Sequence, residues 1–239
     1  MSGHSKWSTI KRKKGAADAK RGVIFTRLSK DITLAAKHGG GDVDMNPSLR
    51  LAVKKAKASN MPATNIERAI KKGTGELPGI RYEDHEYEGY GPNSVAILIE
   101  VMTDNKNRTY PEIRNIMTKN GGNLGETGCV NWIFERKGII SIKIENIKEE
   151  KLMELMENID IDDIIFEENF YEIILKSEDF EKVTKIFNEE EINFDGEISL
   201  VPQNTVELSE QDAGKVIKLL ELLDEHDDVQ KVHSNFEIA

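Results

Sequence analysis

The chain has 239 residues, enough for two or three domains, and its hydrophobic content of 38% suffices for more than one buried core. Its net charge of −10 conceals an uneven distribution, because residues 1–80 carry 17 Lys and Arg against 6 Asp and Glu, whereas residues 81–239 carry 16 against 37. No segment approaches the roughly 20 apolar residues of a membrane span, and no apolar run follows the basic first residues as in a secretory signal. The composition therefore predicts a cytoplasmic protein with no membrane partner.

Candidate catalytic and metal-binding residues are few. The single cysteine, Cys129, has no partner for a disulfide and lacks the neighbouring cations that activate a thiol. The five histidines show no ligand spacing. No Ser, His and Asp constellation and no phosphate-binding lysine motif occurs. We therefore expect no enzymatic activity, no metal, no cofactor and no small-molecule substrate.

The first 22 residues are basic and poor in apolar side chains. They hold seven Lys and Arg against Asp18 alone, and their main large apolar residues are Trp7 and Ile10. Such a segment buries too little surface to offset the entropy lost on ordering. We expect a flexible basic arm over residues 1–22.

A helical period follows, and it predicts a three-helix bundle over residues 23–79. The first helix begins near Val23, and Pro47 begins a second helix with apolar residues at positions i, i+3, i+4 and i+7. Thr64 and Glu67 have the spacing of a capping box at the start of a third helix. Lys and Arg occupy the outer faces of all three helices, so the bundle is expected to be basic.

Beyond residue 80 the apolar residues alternate, which is typical of strands. A strand over Val95–Val101, a helix over Tyr110–Asn120 and a strand carrying Val130–Phe134 are expected first. Residues 138–201 then follow the order βαββαβ, the split βαβ arrangement. A last helix and strand follow Pro202.

The predicted fold is therefore a multidomain α+β protein. A basic three-helix bundle precedes two ferredoxin-like, split-βαβ α+β domains, one inserted in the other. Residues 80–135 and 204–239 are expected to form one discontinuous domain, and residues 136–203 the inserted one.

A cationic arm and cationic helix faces beside an acidic remainder predict a polyanionic partner, and nucleic acid is the abundant one. Lys and Arg contact phosphates without reading sequence, so this binding should weaken steeply with salt. Trp7 either stacks on an unpaired base or anchors the arm on the bundle. The predicted nucleic-acid-binding residues are Lys6, Trp7, Lys11, Arg12, Lys13, Lys14, Lys20, Arg21, Arg27, Lys30, Arg50, Lys54, Lys57, Arg68, Lys71 and Lys72.

Two other patterns give weaker indications. Residues 47–72 resemble a helix-turn-helix, but the cations of the second helix lie towards its C-terminal end, whereas bases are read from the N-terminal end. The glycine-rich segment Asn120–Gly128 follows a helix, and phosphate-binding loops precede one, so a helix cap and turn is the better interpretation.

Short motifs occur along nearly the whole chain, most densely in its first 135 residues. They include Gly3-His4-Ser5-Lys6-Trp7, Asn60-Met61-Pro62, Ile66-Glu67-Arg68-Ala69-Ile70, Gly73-Thr74-Gly75, Tyr87-Glu88-Gly89-Tyr90-Gly91-Pro92, Thr103-Asp104-Asn105, Asn107-Arg108-Thr109, Gly121-Gly122-Asn123-Leu124-Gly125 and Ser234-Asn235-Phe236. In combination they resemble the YebC family of bacterial proteins.

The resemblance implies a three-domain cytoplasmic protein without catalytic activity. Some family members are described as probable transcriptional regulators that bind promoter DNA. Others, including the mitochondrial translational activator of cytochrome c oxidase subunit I, act on the ribosome, and bacterial relatives relieve stalling on proline-rich stretches.

The charge distribution separates these two alternatives in part. A duplex-DNA regulator is expected to have a groove-reading element and commonly a symmetric dimer. A basic arm and bundle joined to acidic domains suit recognition of a folded RNA by shape and phosphate. We expect ribosomal RNA and the ribosome as the partner, with sequence-specific binding to promoter DNA as the alternative. The acidic portion disfavours self-association and predicts a monomer.

Overall fold

The computed structural model describes residues 21–77 and 82–238, with the side chains of residues 21–23 left out. The predicted arm therefore lies almost entirely outside the described residues. The chain divides into two compact units. The described residues up to 132 form one unit together with residues from 205 onward, and residues 133–204 form the other.

The described part of the chain contains helices together with two antiparallel four-stranded sheets, which confirms the predicted α+β class. Up to residue 132 they are α1 (Arg21–Gly39), α2 (Pro47–Ala58), α3 (Ala63–Gly73), β1 (Glu83–Tyr90), β2 (Ala96–Thr103), α4 (Lys106–Lys119) and β3 (Asn123–Leu124). The remainder are β4 (Phe134–Lys143), α5 (Glu149–Met156), β5 (Ile161–Phe166), β6 (Phe170–Lys176), α6 (Phe180–Glu189), β7 (Asp195–Pro202), β8 (Val206–Leu208), α7 (Glu210–Asp224), β9 (Val229–Ser234) and β10 (Phe236–Ile238).

Helices α1, α2 and α3 form the predicted bundle around a small apolar core. Asn46 fixes the turn before α2, because its side chain accepts a hydrogen bond from the Leu49 amide and donates to two carbonyl oxygens, of Ala35 and Gly40. Gly73 lets the end of α3 lie against α1, since a Cβ there would collide with the Thr33 carbonyl oxygen. The core consists of Ile32, Ala36, Leu49, Ala52, Val53, Ala56, Met61, Ile66 and Ala69.

The predicted capping box of α3 was wrong. The helix begins one residue earlier than Thr64, at Ala63, and Pro62 occupies the N-cap position without a side-chain hydrogen bond. The chain enters with the extended conformation that proline favours, so the helix starts without a hydroxyl cap.

The larger unit also contains a four-stranded sheet in the order β3-β1-β2-β9. Helices α4 and α7 pack on this sheet and form a shared apolar core with it. The core includes Val95, Ile97, Ile99, Ile113, Met117, Leu219, Leu220 and Leu223. Strand β1 was not predicted, because its sequence is largely polar. The expected strand over Val130–Phe134 also differs, since Asn131–Ile133 is a 3-10 turn and Phe134 opens β4 of the other unit. The element order of this sheet is therefore β-β-α-β, completed by an α-β pair after the insertion.

Residues 133–204 follow the predicted βαββαβ order. The sheet is antiparallel throughout, with the strand order β5-β6-β4-β7 of a ferredoxin-like fold. Ile140 of β4 lies between Ile173 of β6 and Gly196 of β7, at the centre of the sheet.

Candidate nucleic-acid interface

Helix α2 carries a stripe of exposed cations. Arg50, Lys54 and Lys57 are exposed and recur at positions i, i+4 and i+7, so they share one side of the helix. The helix contains no Asp or Glu. Arg50 is also held by the preceding turn, where it donates to the carbonyl oxygens of Val43 and Asp44. We call Arg50, Lys54 and Lys57 the basic helix face.

Helix α3 adds cations in two environments. Arg68 and Lys71 are exposed, as the sequence predicted. Lys72 is half-buried, because its ammonium donates a hydrogen bond of 3.0 Å to the Tyr82 hydroxyl and lies 4.2 Å from the centroid of the same ring. A cation over an aromatic face is stabilised by the ring quadrupole. Lys72 is therefore a partly engaged cation, while Arg68 and Lys71 face solvent.

Two of the residues predicted to contact nucleic acid form ion pairs within the protein. Arg27 forms an ion pair of 2.8 Å with Asp224 and donates to the Asp224 backbone oxygen. Lys30 lies 3.6 Å from Asp228, with side chains only 11% and 9% exposed. Burial lowers the pKa of Lys30, although the charge of Asp228 opposes that shift. The charges of Arg27 and Lys30 attach α1 to the end of α7 and the start of β9, and we propose that these two residues are structural and not part of the interface.

Asp228 is the centre of a buried polar cluster at this junction. Its carboxylate accepts hydrogen bonds of 2.7 Å from Arg108 and from the Thr109 hydroxyl, and one of 3.2 Å from Thr103. Burial alone would raise the pKa of Asp228, but the hydrogen bonds from Arg108 and Thr109 and the charge of Lys30 outweigh it and hold the pKa below its usual value. The sequence motifs around Thr103 and Arg108 are thus explained by structural contacts.

The glycine-rich segment is bound by a carboxylate of the protein itself. Glu88 is buried and accepts hydrogen bonds of 2.7 Å from the Gly128 amide, 2.7 Å from the Val130 amide and 2.8 Å from the Asn131 amide. Burial would raise the pKa of Glu88, but these three amides hold it below the usual value. Because these three amides already donate hydrogen bonds to Glu88, they are not available to bind a phosphate. This supports the interpretation of the glycine-rich segment as a helix cap and turn.

The other predicted contacts cannot be placed. Lys6, Trp7, Lys11, Arg12, Lys13, Lys14 and Lys20 lie outside the described residues, and so does the side chain of Arg21. Sequence reasoning missed Tyr82 and Asp228. The sequence gives no local signal for either residue. Arg108 lies 120 positions from Asp228, and Lys72 lies ten positions before Tyr82 in a different structural element.

Two other kinds of site were not found in the described part of the chain. No group of three or more His, Cys, Asp or Glu side chains in it is arranged to hold a metal ion. None of its helices is long and apolar enough to cross a membrane. Its bundle segment, residues 21–77, carries eleven Lys and Arg against five Asp and Glu.

Comparison with known proteins gives matches over nearly the full length. Residues 5–76 match the TACO1/YebC protein N-terminal domain, and residues 82–236 match the TACO1/YebC second and third domain. A "probable transcriptional regulatory protein" of Natranaerobius thermophilus is 53% identical, with 100% of this chain and 97% of the relative covered. A protein of the same description from Geobacter sulfurreducens is 52% identical over 100% of this chain and 97% of the relative. The crystal structure of a conserved hypothetical protein from Aquifex aeolicus superposes with a TM-score of 0.85 at 43% identity, covering 93% of this chain and 92% of that one.

Proposed function

Because the chain belongs to the TACO1/YebC family, as its motifs indicated, we propose that it is a non-enzymatic regulator of gene expression that binds nucleic acid through its helical bundle. The observation that carries this proposal is the basic helix face. Its three exposed cations lie on one side of a helix that contains no Asp or Glu, so the helix presents positive charge there. A phosphate chain is the polyanion that matches such a stripe.

We propose a folded RNA of the ribosome as the target. The cations Arg68 and Lys71 lie in the second half of α3, whereas a helix that reads the major groove contacts bases from its N-terminal residues. Contacts made by cations to phosphates position a protein by shape, which is how folded RNA is commonly recognised. The role would be that of a ribosome-associated translation factor that relieves stalling on proline-rich stretches, acting as a cytoplasmic monomer.

The second candidate is a sequence-specific regulator at promoters. The names of the relatives from N. thermophilus and G. sulfurreducens favour it, because both are called probable transcriptional regulatory proteins. The same cations would bind the phosphates of duplex DNA. Binding to promoter DNA in a simple assay therefore does not separate the two candidates.

Sedimentation of a cell lysate through sucrose separates them. If the target is ribosomal RNA, the protein migrates with large ribosomal subunits at physiological salt. A variant with Gln at Arg50, Lys54 and Lys57 shifts to the top of the gradient, whereas a charge-matched variant with Gln at Lys148, Lys182 and Lys185 does not. Absence from ribosomal fractions, together with an operator complex that survives excess competitor DNA, would establish the promoter candidate instead.

A further inference from the structure

The larger unit contains a groove that the basic helix face does not explain. It lies between α1 and α3, with Tyr82 and Met102 of the sheet region also lining it, and its volume is about 340 Å³. This size falls in the range of about 300 to 1,000 Å³ typical of small-ligand sites.

The charge of the groove is positive. Lys30, Arg68 and Lys72 line it, and no Asp or Glu is among its described lining residues. Lys30 is compensated by Asp228, whereas Arg68 has no ion pair within the described part of the chain. Lys72 contacts only the neutral Tyr82 in the structure as described. The groove therefore presents two cations that an anion of one or two charges would neutralise.

Two buried methionines lie in the depth of the groove. Met61 and Met102, which line it, are 6% and 1% exposed, while Arg68 is exposed and Lys72 half-buried. The site thus has a methionine floor, beside which Lys30 is buried against Asp228, and a rim that carries Arg68 and Lys72. Thioether side chains make favourable contacts with flat aromatic rings. Tyr82 and Asn65 add a hydroxyl and an amide at the wall, and these groups hydrogen-bond to polar ring edges.

We propose that this groove binds one unpaired nucleotide of the bound nucleic acid, with the base on the methionine floor and the phosphate at Arg68 and Lys72. The inference rests on the proposed function, and it names the feature that the bundle recognises. An unpaired base costs little to extrude, whereas a base in a duplex must first be unstacked. Recognition is then directed to bulges, loops and strand ends rather than to uniform duplex.

The test uses the full-length protein and three RNA hairpins of the same stem. One is fully paired, one carries a single bulged adenosine, and one carries an abasic bulge. Stacking of one base predicts about tenfold tighter binding of the adenosine bulge than of the other two. With 13C-methyl-labelled methionine, the bulged hairpin shifts the signals of Met61 and Met102, whereas the exposed Met153 of the other unit stays unchanged.

Variants that fill the groove sharpen the test. Ser29→Phe places a ring in the groove and removes the tenfold preference while leaving the affinity for the paired hairpin unchanged. Asn65→Phe places a ring in the groove from its exposed rim and is expected to remove the same preference. This variant replaces Ser29→Phe if Ser29→Phe does not fold. Ser48→Phe, at an exposed position of α2 outside the groove, is the matched control and keeps the preference.

Each other outcome overturns the inference in a distinguishable way. Equal affinity for all three hairpins removes the nucleotide site but leaves the proposed function standing. An abasic bulge bound as tightly as the adenosine bulge shows that backbone shape is recognised and not the base. A phosphoserine peptide that shifts Met61 and Met102 when the hairpins do not would assign the groove to a protein partner. Failure to bind any hairpin or duplex DNA would remove the proposed function as well.

Discussion

Arg27 of α1 and Asp224 of α7 form an ion pair of 2.8 Å across 197 positions of the chain. The pair joins the basic bundle to the acidic sheet region, and the Arg27 side chain keeps only 30% of its exposure. A partly buried ion pair with an additional hydrogen bond to the backbone contributes more than an exposed surface pair. Arg27, like the buried Lys30, thus has a structural role in a segment where Arg50, Lys54 and Lys57 face outward.

Arg27→Gln is expected to lower the free energy of unfolding by about 1 to 2 kcal/mol, because the ion pair between Arg27 and Asp224 is lost. The same substitution leaves the salt dependence of RNA binding unchanged. Lys57→Gln is the matched control and should give the opposite pattern. Its RNA binding should depend less steeply on salt, while its free energy of unfolding should be unchanged. Urea titration and binding at several salt concentrations check both. A flatter slope in Arg27→Gln would return that residue to the interface.

Asp228→Asn is expected to cost more than Arg27→Gln. The amide deprives the buried Lys30 of its main negative partner, and removing one partner of a buried pair costs about 3 to 5 kcal/mol. Because Arg108 is 46% exposed and regains water, we expect about 2 to 3 kcal/mol by urea denaturation. The exposed neighbour Asp227 provides the control, since Asp227→Asn removes the same charge and is expected to cost about 0.5 kcal/mol or less. Equal costs for the two variants would show that net charge matters and not the cluster.

These contacts show why the sequence predicted the bundle well and its interface only in part. Apolar spacing reports which side of a helix is buried, and it placed Leu49 and Val53 of α2 correctly in the core. A basic composition reports only the sum of the charges. Nothing local distinguishes Lys30, buried beside Asp228, from Lys54, exposed on α2, since the distinction depends on residues some 200 positions away.

Strand β1 was missed for a related reason. Its residues Glu83–Tyr90 include Glu86 and Glu88 and lack the alternation of apolar side chains that predicts strands. The strand is held by backbone pairing to β2. Its buried Glu88 accepts hydrogen bonds from backbone amides of the loop at residues 128–131. A polar residue with a structural hydrogen-bonding role gives a misleading signal to any method based on hydrophobic periodicity.

Glu88→Gln tests that role through its pH dependence. The two oxygens of the Glu88 carboxylate accept hydrogen bonds from three backbone amides. The Gln side chain has only one oxygen, and its NH2 group would face N–H donors. We therefore expect the free energy of unfolding to fall by about 2 to 3 kcal/mol at pH 7. The folded-state pKa of Glu88 is depressed. Its stabilisation is therefore fully present above the unfolded pKa of about 4.3 and is lost as the pH falls through the folded pKa.

The difference in unfolding free energy between the parent protein and Glu88→Gln should consequently narrow below about pH 4. Urea titrations at several pH values from 7 downward measure this difference. Glu86→Gln, an exposed position two residues earlier on the same strand, is the control and should have only a small effect on stability at pH 7. A gap that stayed constant in acid would mean that the Gln variant is destabilised by packing and not by the lost charge.

The basic arm remains a prediction from sequence. Replacing Lys11, Arg12, Lys13 and Lys14 with Ala is expected to weaken binding almost equally across RNA sequences and to flatten the salt dependence. Filter binding of unrelated hairpins at about 100 mM salt checks it. Unchanged affinity in that variant would place the contact on the bundle alone.

The basic helix face provides the most direct test of the proposed function. Gln at Arg50, Lys54 and Lys57 removes up to three phosphate contacts, and each contact contributes about 0.7 to 0.9 to the slope of log affinity against log salt. We expect the slope to fall by about 2 in magnitude and the affinity to fall for every sequence. The free energy of unfolding should fall by about 1 kcal/mol or less, since the side chains are exposed and mainly the Arg50 hydrogen bonds to the preceding turn are lost. Gln at Lys148, Lys182 and Lys185 removes the same net charge from the other unit and controls for long-range attraction. If both triple variants lost affinity equally, overall charge would explain binding, and the α2 surface would not be the contact.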